Sequence, residues 1–230
     1  MRELTGSRLH SYLPTIRQSV SPFAMSQPIQ FTSDEVTLMA DDQFFRKKEQ
    51  IMAKVRGQLE ATQRLLQEEL KGSSLVTPPG FVPNKTQLVR GEHLESFPYQ
   101  YLDCPKHFEG TDKFTFRTLF WWGHHLACAI LLEGTGIKQY KKHIVDRFHR
   151  LAGQELELSL APTLWEWKRG EGYTLPMTHD RKARIAAVLA ERPFLKIVRF
   201  VPLTDARVQS GQLPNLSRET FRAVLPIVAR

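Results

Sequence analysis

Two adjacent histidines, His124 and His125, follow Trp121, Trp122 and Gly123, and Arg117 stands four residues before Trp121. An imidazole titrates near neutral pH, so a histidine beside an arginine anchor and indole surfaces could do general acid–base work on a bound planar or anionic molecule. Imidazole is also a common nitrogen ligand for metals. Successive residues of a strand point to opposite faces, however, so neighbouring histidines do not share one ion unless Gly123 bends the backbone. No His-Glu-x-x-His and no Cys-x-x-Cys accompanies them. The sequence assigns no catalytic residue and no metal centre, and it implies no particular cofactor.

A second aromatic group, Trp165-Glu166-Trp167, raises the prospect of a groove. If 114–122 and 163–168 are neighbouring strands, Arg117 and Glu166 could pair between Trp121, Trp165 and Trp167. Such a groove suits a planar or apolar ligand oriented by the charged pair. The candidate ligand-binding set is therefore Arg117, Trp121, His124, His125, Trp165, Glu166 and Trp167. The plainer expectation for the same residues is a structural ion pair in an aromatic core, since buried charges are usually paired. Cys104, beside His107 in sequence, would need a base and an electropositive setting to act as a nucleophile. Cys128 lies in an apolar run and reads as a small buried hydrophobe. Gly134-Thr135-Gly136 could offer backbone N–H groups to an anion, but it lacks the spacing of a dinucleotide or phosphate-binding loop, and a turn explains it.

Charge supplies a different candidate. The net +8 is uneven: residues 138–153 hold five Lys/Arg and one acid, and residues 181–230 hold ten and three, so the rest of the chain sums to −3. A basic face of this kind is the footprint of a polyanion binder, and its candidate residues are Lys138, Lys141, Lys142, Arg147, Arg181, Lys182 and Arg184. A solvated, solubilising helix face is the alternative, because no helix-turn-helix, RNP, KH or zinc-finger pattern accompanies the charge.

These residues need elements to hold them. Thr32-Ser33-Asp34-Glu35 has the spacing of a helix capping box. Phe45, Met52, Leu59 and Leu66 recur every seven residues, with Val55 and Leu70 on the same face and Phe44, Ile51 and Leu65 beside it. That pattern predicts a helix over 42–71, which Gly72 ends. It would either cross a sheet or pair with a second copy, although Lys48 and Thr62 interrupt the seam. Residues 72–98, with Pro78-Pro79-Gly80 and Pro83, read as a connector. The stretch 113–133 is too long for one strand of a compact domain, so two antiparallel strands or one bent strand should meet near Trp122-Gly123-His124. A helix over 138–151, a strand over 155–160, a hairpin of 163–168 with 172–175, a helix starting at Thr178 or Asp180, a strand over 194–203 and a last helix capped by Ser217 follow.

The fold expected is α+β: an antiparallel or mixed sheet with helices packed on one face, preceded by a long N-terminal helix. Residues 1–31 read as a leader or disordered segment and 32–230 as one domain. Residues 1–24 carry three arginines against one acid, a composition shared by organellar transit peptides and short basic tails. The longest apolar run has seven residues, where a membrane span needs roughly 20, and two cysteines suit a reducing compartment. The expectation is a soluble cytoplasmic binding protein without catalytic activity, acting on a partner protein or a nucleic acid, with no membrane contact. An enzyme or small-molecule-binding protein with its pocket at 114–125 and 163–168 is the second expectation.

Overall fold

The structure is a computed structural model that describes residues 29–230. Of the leader or disordered segment expected over residues 1–31, residues 1–28 lie outside the described residues. A first unit ends at Asp42 and is taken by itself. It contains α1, Ser33–Ala40, whose start is the predicted capping box: the Thr32 hydroxyl accepts from the Glu35 N–H while the Glu35 carboxylate accepts from the Thr32 N–H.

The second unit is built on one seven-stranded antiparallel sheet in the order β1-β2-β3-β4-β7-β5-β6. Its strands are β1 (Gln87–Leu94), β2 (Phe97–Glu109), β3 (Asp112–Trp121), β4 (His125–Glu133), β5 (Glu157–Ser159), β6 (Thr174–Pro176) and β7 (Phe194–Pro202). The helices are α2 (Asp42–Lys71), α3 (Ile137–Asp146), α4 (Phe148–Leu151), α5 (Lys182–Glu191), α6 (Ala206–Gln209) and α7 (Leu213–Val228). No helix among the described residues is long and apolar enough to cross a membrane.

Strand parity sorts the core into two layers. Phe114, Phe116 and Phe120 of β3, Leu126, Cys128, Ile130 and Leu132 of β4, and Leu195, Ile197 and Val201 of β7 face the helices. There they meet Met52, Leu59 and Leu66 of α2, Tyr140 and Ile144 of α3, Ile185 and Leu189 of α5, and Phe221, Val224 and Ile227 of α7. The α2 seam from Met52 onward is thus buried inside the chain, so these residues are not free to pair with a second copy. On the other sheet face, Leu119, Trp121, Ala127, Ala129, Leu131, Val198 and Phe200 pack under Leu164 and Trp167. The small Ala127 and Ala129 share this buried cluster with the Trp167 indole.

Several local expectations change. β1 lies inside the expected connector, because it is only half-buried and its alternation is weak. The predicted strand 163–168 is irregular backbone that roofs the second sheet face, and the short β6 pairs with β5 in its place. The helix predicted over 138–151 is broken at Arg147 into α3 and α4. Ser217 does not cap α7, which starts at Leu213 with Pro214 in its first turn. Ser217 is buried instead, its hydroxyl hydrogen-bonded to that of Thr118.

Candidate functional site

β3 and β4 form the expected antiparallel pair, and Trp122-Gly123-His124 is the turn between them. Gly123 has φ +73°, the left-handed region that costs glycine no steric penalty. This turn departs from strand alternation and brings both histidines to Trp121. His124 stacks on the indole at 3.7 Å between ring centroids, and His125 meets it edge-on at 5.4 Å. His125 also packs edge-on against Phe200 at 4.6 Å. Burial, then the charges of His124 and Arg169, push its pKa down to about 4, while a hydrogen bond with the Trp167 backbone pulls weakly upward. The His125 Nε2 is buried and has no hydrogen-bond partner among the described residues. Trp121, His124, His125, Glu95, Lys168, Arg169 and Tyr173 line a cleft of about 280 Å³.

Arg117 is not at that cleft, and Glu166 is not its partner. Cross-strand register sets Asp103 opposite Arg117. The guanidinium holds the buried Asp103 carboxylate in a bidentate pair, Nε to Oδ1 and Nη2 to Oδ2, both 2.7 Å. Its plane lies over the Tyr101 ring at 3.7 Å, with the Trp165 and Trp167 rings at 5.2 and 5.9 Å. Arg117 therefore meets two of its expected neighbours, Trp165 and Trp167, but its charge partner is Asp103 in place of Glu166. The Glu166 side chain lies 3.8 Å from Lys168, and its backbone carbonyl accepts from Lys196.

Lys196 was not anticipated. It is 1% exposed, donates to the carbonyls of Leu164 (3.2 Å) and Glu166, and lies 4.6 Å from the Trp167 centroid. Burial lowers its pKa to about 7, opposed by the Glu166 charge. On the helix-facing side of the same strand Arg199 is also buried: Nη1 donates to Thr220 Oγ1 at 3.2 Å and Nη2 to the Gln154 carbonyl at 2.7 Å. The signal for both was present in the sequence. Lys196 and Arg199 interrupt an otherwise apolar run in β7, and a strand in mid-sheet buries whatever side chains it carries.

The basic residues divide into two groups. Arg147 donates from Nη1 to the carbonyls of Pro226 and Ala229 and so ties down the end of α7. Lys141 reaches the Ala190 carbonyl at the end of α5, 3.4 Å away. Lys142 pairs with Asp146 at 2.5 Å, and a hydrogen bond from Lys142 is the main cause that lowers the Asp146 pKa, with the Lys182 charge among the lesser causes. Arg181 lies 4.0 Å from Asp180. Lys138, Lys182 and Arg184 are exposed, and none of them has an ion-pair partner among the described residues.

The remaining candidates have structural explanations. Cys104 is buried, and burial with the Asp103 charge pushes its thiol up to about 12, which leaves no thiolate at neutral pH. Burial raises Cys128 to about 11. The Gly134-Thr135-Gly136 turn already holds an anion of the protein itself, since the Thr135 N–H donates to Asp112 Oδ1 at 2.6 Å. No group of three metal-ligating side chains occurs among the described residues. The chain matches no family model, and no curated protein or solved structure shows significant similarity to it.

Proposed function

We propose that the protein is a binding protein that holds a polyanion on its helical layer. The observation that carries this reading is that α3 packs against α5, so that the exposed Lys138, Lys142, Lys182 and Arg184 share one side of the sheet. The Lys141 bond to the Ala190 carbonyl and the Asp146 carboxylate between Lys142 and Lys182 join the two helices there. Arg147 belongs to the framework of this face and not to its contact surface. Cations fixed on a helical face favour phosphates through counterion release, without need of a base-reading motif.

The test is fluorescence anisotropy with single-stranded and duplex oligonucleotides at rising salt. Binding should be salt-labile. The combined Lys138→Ala, Lys142→Ala and Lys182→Ala variant should weaken it and make the salt slope shallower by roughly 2–3. No binding at low salt, or the same slope in the variant, would remove the reading.

A small-molecule site at the Trp121–His124–His125 cleft is the second reading, favoured by the buried, unpartnered His125 Nε2. A small molecule released on denaturation, and absent after His124→Ala, would support it. Arg117, already neutralised by Asp103, would not belong to that site.

A further inference from the structure

The buried Arg199 has no buried carboxylate beside it. Its nearest acid is Glu155, 71% exposed, with Oε2 3.7 Å from Nε. That is too long for a hydrogen bond, and the buried Nε–H has no acceptor among the described residues. The two acceptors it does have, Thr220 Oγ1 and the Gln154 carbonyl, are neutral. Each terminal nitrogen carries a second N–H, and neither finds an acceptor among the described residues. A buried guanidinium whose one nearby carboxylate is exposed and not hydrogen-bonded to it is costly, so the neighbourhood of Arg199 should be built to receive a closer anion.

That neighbourhood is a cleft of about 410 Å³ between α4 and α7, lined by Arg150, Gln154, Arg199, Glu219, Arg222, Ala223 and Pro226. The Arg150 guanidinium is exposed and has no partner among the described residues. Arg222 is held by Glu69 through Nε at 3.0 Å and Nη2 at 2.6 Å. Glu219 opposes an anion and Glu69 already neutralises Arg222, which leaves Arg150, with no acid beside it among the described residues, and Arg199, with only the exposed Glu155 near it. We propose that the cleft is a phosphate-group site, in which Arg199 is the buried anchor and Arg150 the exposed arm that closes on the bound oxyanion. Arginine suits this role because its planar fork presents paired N–H donors to two oxygens of one phosphate. The phosphate could belong to a free monoester or to a nucleic-acid backbone. The site rests on Arg199 and not on the α3–α5 face proposed above.

The test is titration of the full chain with inorganic phosphate, followed by calorimetry and by the arginine Nε–H resonances. The Arg199 resonance, sheltered from solvent, should shift and saturate. Arg150→Ala, an exposed change that leaves the fold alone, should weaken binding about tenfold. Arg199→Lys should abolish it, and Lys54→Ala, an exposed change on α2, should have no effect. An unmoved Arg199 resonance, or equal affinity in wild type and Arg150→Ala, would overturn the proposal. A mononucleotide and a short oligonucleotide are titrated in parallel. Tighter binding of the oligonucleotide, weakened by Arg150→Ala, supports the site with a backbone phosphate, and equal binding of the two, similarly weakened, supports it with a phosphomonoester. Phosphate binding that persists in the Lys138/Lys142/Lys182 variant, with oligonucleotide binding and its salt slope unchanged, would leave the cleft standing and remove the helical-face reading.

Discussion

Arg117 and Arg199 are two buried arginines in adjoining cross-strand rows of one sheet, and one residue step of register puts them on opposite faces. The row Asp103–Arg117–Ala129–Val198 faces the aromatic roof, and the row Thr118–Cys128–Arg199 faces the helices. Arg117 meets a carboxylate on two nitrogens and a tyrosine ring on its plane. Arg199 meets a threonine, a carbonyl and a distant exposed acid. Equal burial thus hides unequal satisfaction. The first arginine has its charge and its Nε–H met by a buried carboxylate, and the second has neutral acceptors and a buried Nε–H with no acceptor among the described residues.

The largest way to break this contrast is to make Arg117 resemble Arg199. Asp103→Asn should cost about 3–5 kcal/mol, because it strands a buried guanidinium, and urea denaturation would measure it. A loss under 1 kcal/mol would show that Arg117 does not depend on its carboxylate. A second effect separates the two faces by pH. Lys196 has a folded pKa near 7 against an ordinary 10.5, so the unfolded chain binds more protons between those values. Its contribution should make stability rise with pH across that window, by an amount on the order of a few kcal/mol, and Lys196→Met should flatten the rise. If the slope of melting temperature against pH is the same in both proteins, the lysine is not the source. The smallest effect is expected at Arg199. Arg199→Met removes an incompletely satisfied charge, so stability in the absence of phosphate should stay within about 1 kcal/mol of wild type. A loss as large as that of Asp103→Asn would mean that the two arginines are equally well compensated after all.

The sequence carried the parts of the fold that depend on local pattern. The β3–β4 pair turned at Gly123 because the tight turn between the two strands needs a residue that accepts a positive φ there. The Thr32 capping box formed as spaced. The failures came where tertiary contacts decide. Residues 163–168 alternate like a strand, yet they form no strand, and Trp167 packs in the buried cluster that holds Ala127 and Ala129 of β4 while Trp165 stays partly exposed. Arg117 went to Asp103 because β2 pairs antiparallel with β3, and register then fixed the partner. Charge counting also overstated the free cations. Arg147, Arg192, Lys196, Arg199 and Arg230 all donate to backbone carbonyls, so much of the late basic excess finishes chain ends and loops instead of facing solvent.

The roof over the second sheet face has a further consequence. Its backbone is fastened by two side chains, with Arg192 on the carbonyls of Leu160 and Ala161 and Lys196 on those of Leu164 and Glu166. Of the chain's four tryptophans, Trp121, Trp165 and Trp167 lie at this roof and Trp122 alone packs with the helical layer. Indole emission from this protein is therefore weighted toward one side of the sheet. A roof that loosens before the helices melt would redden the fluorescence while the far-ultraviolet dichroism stayed unchanged, giving the two faces separate optical signatures without any added label.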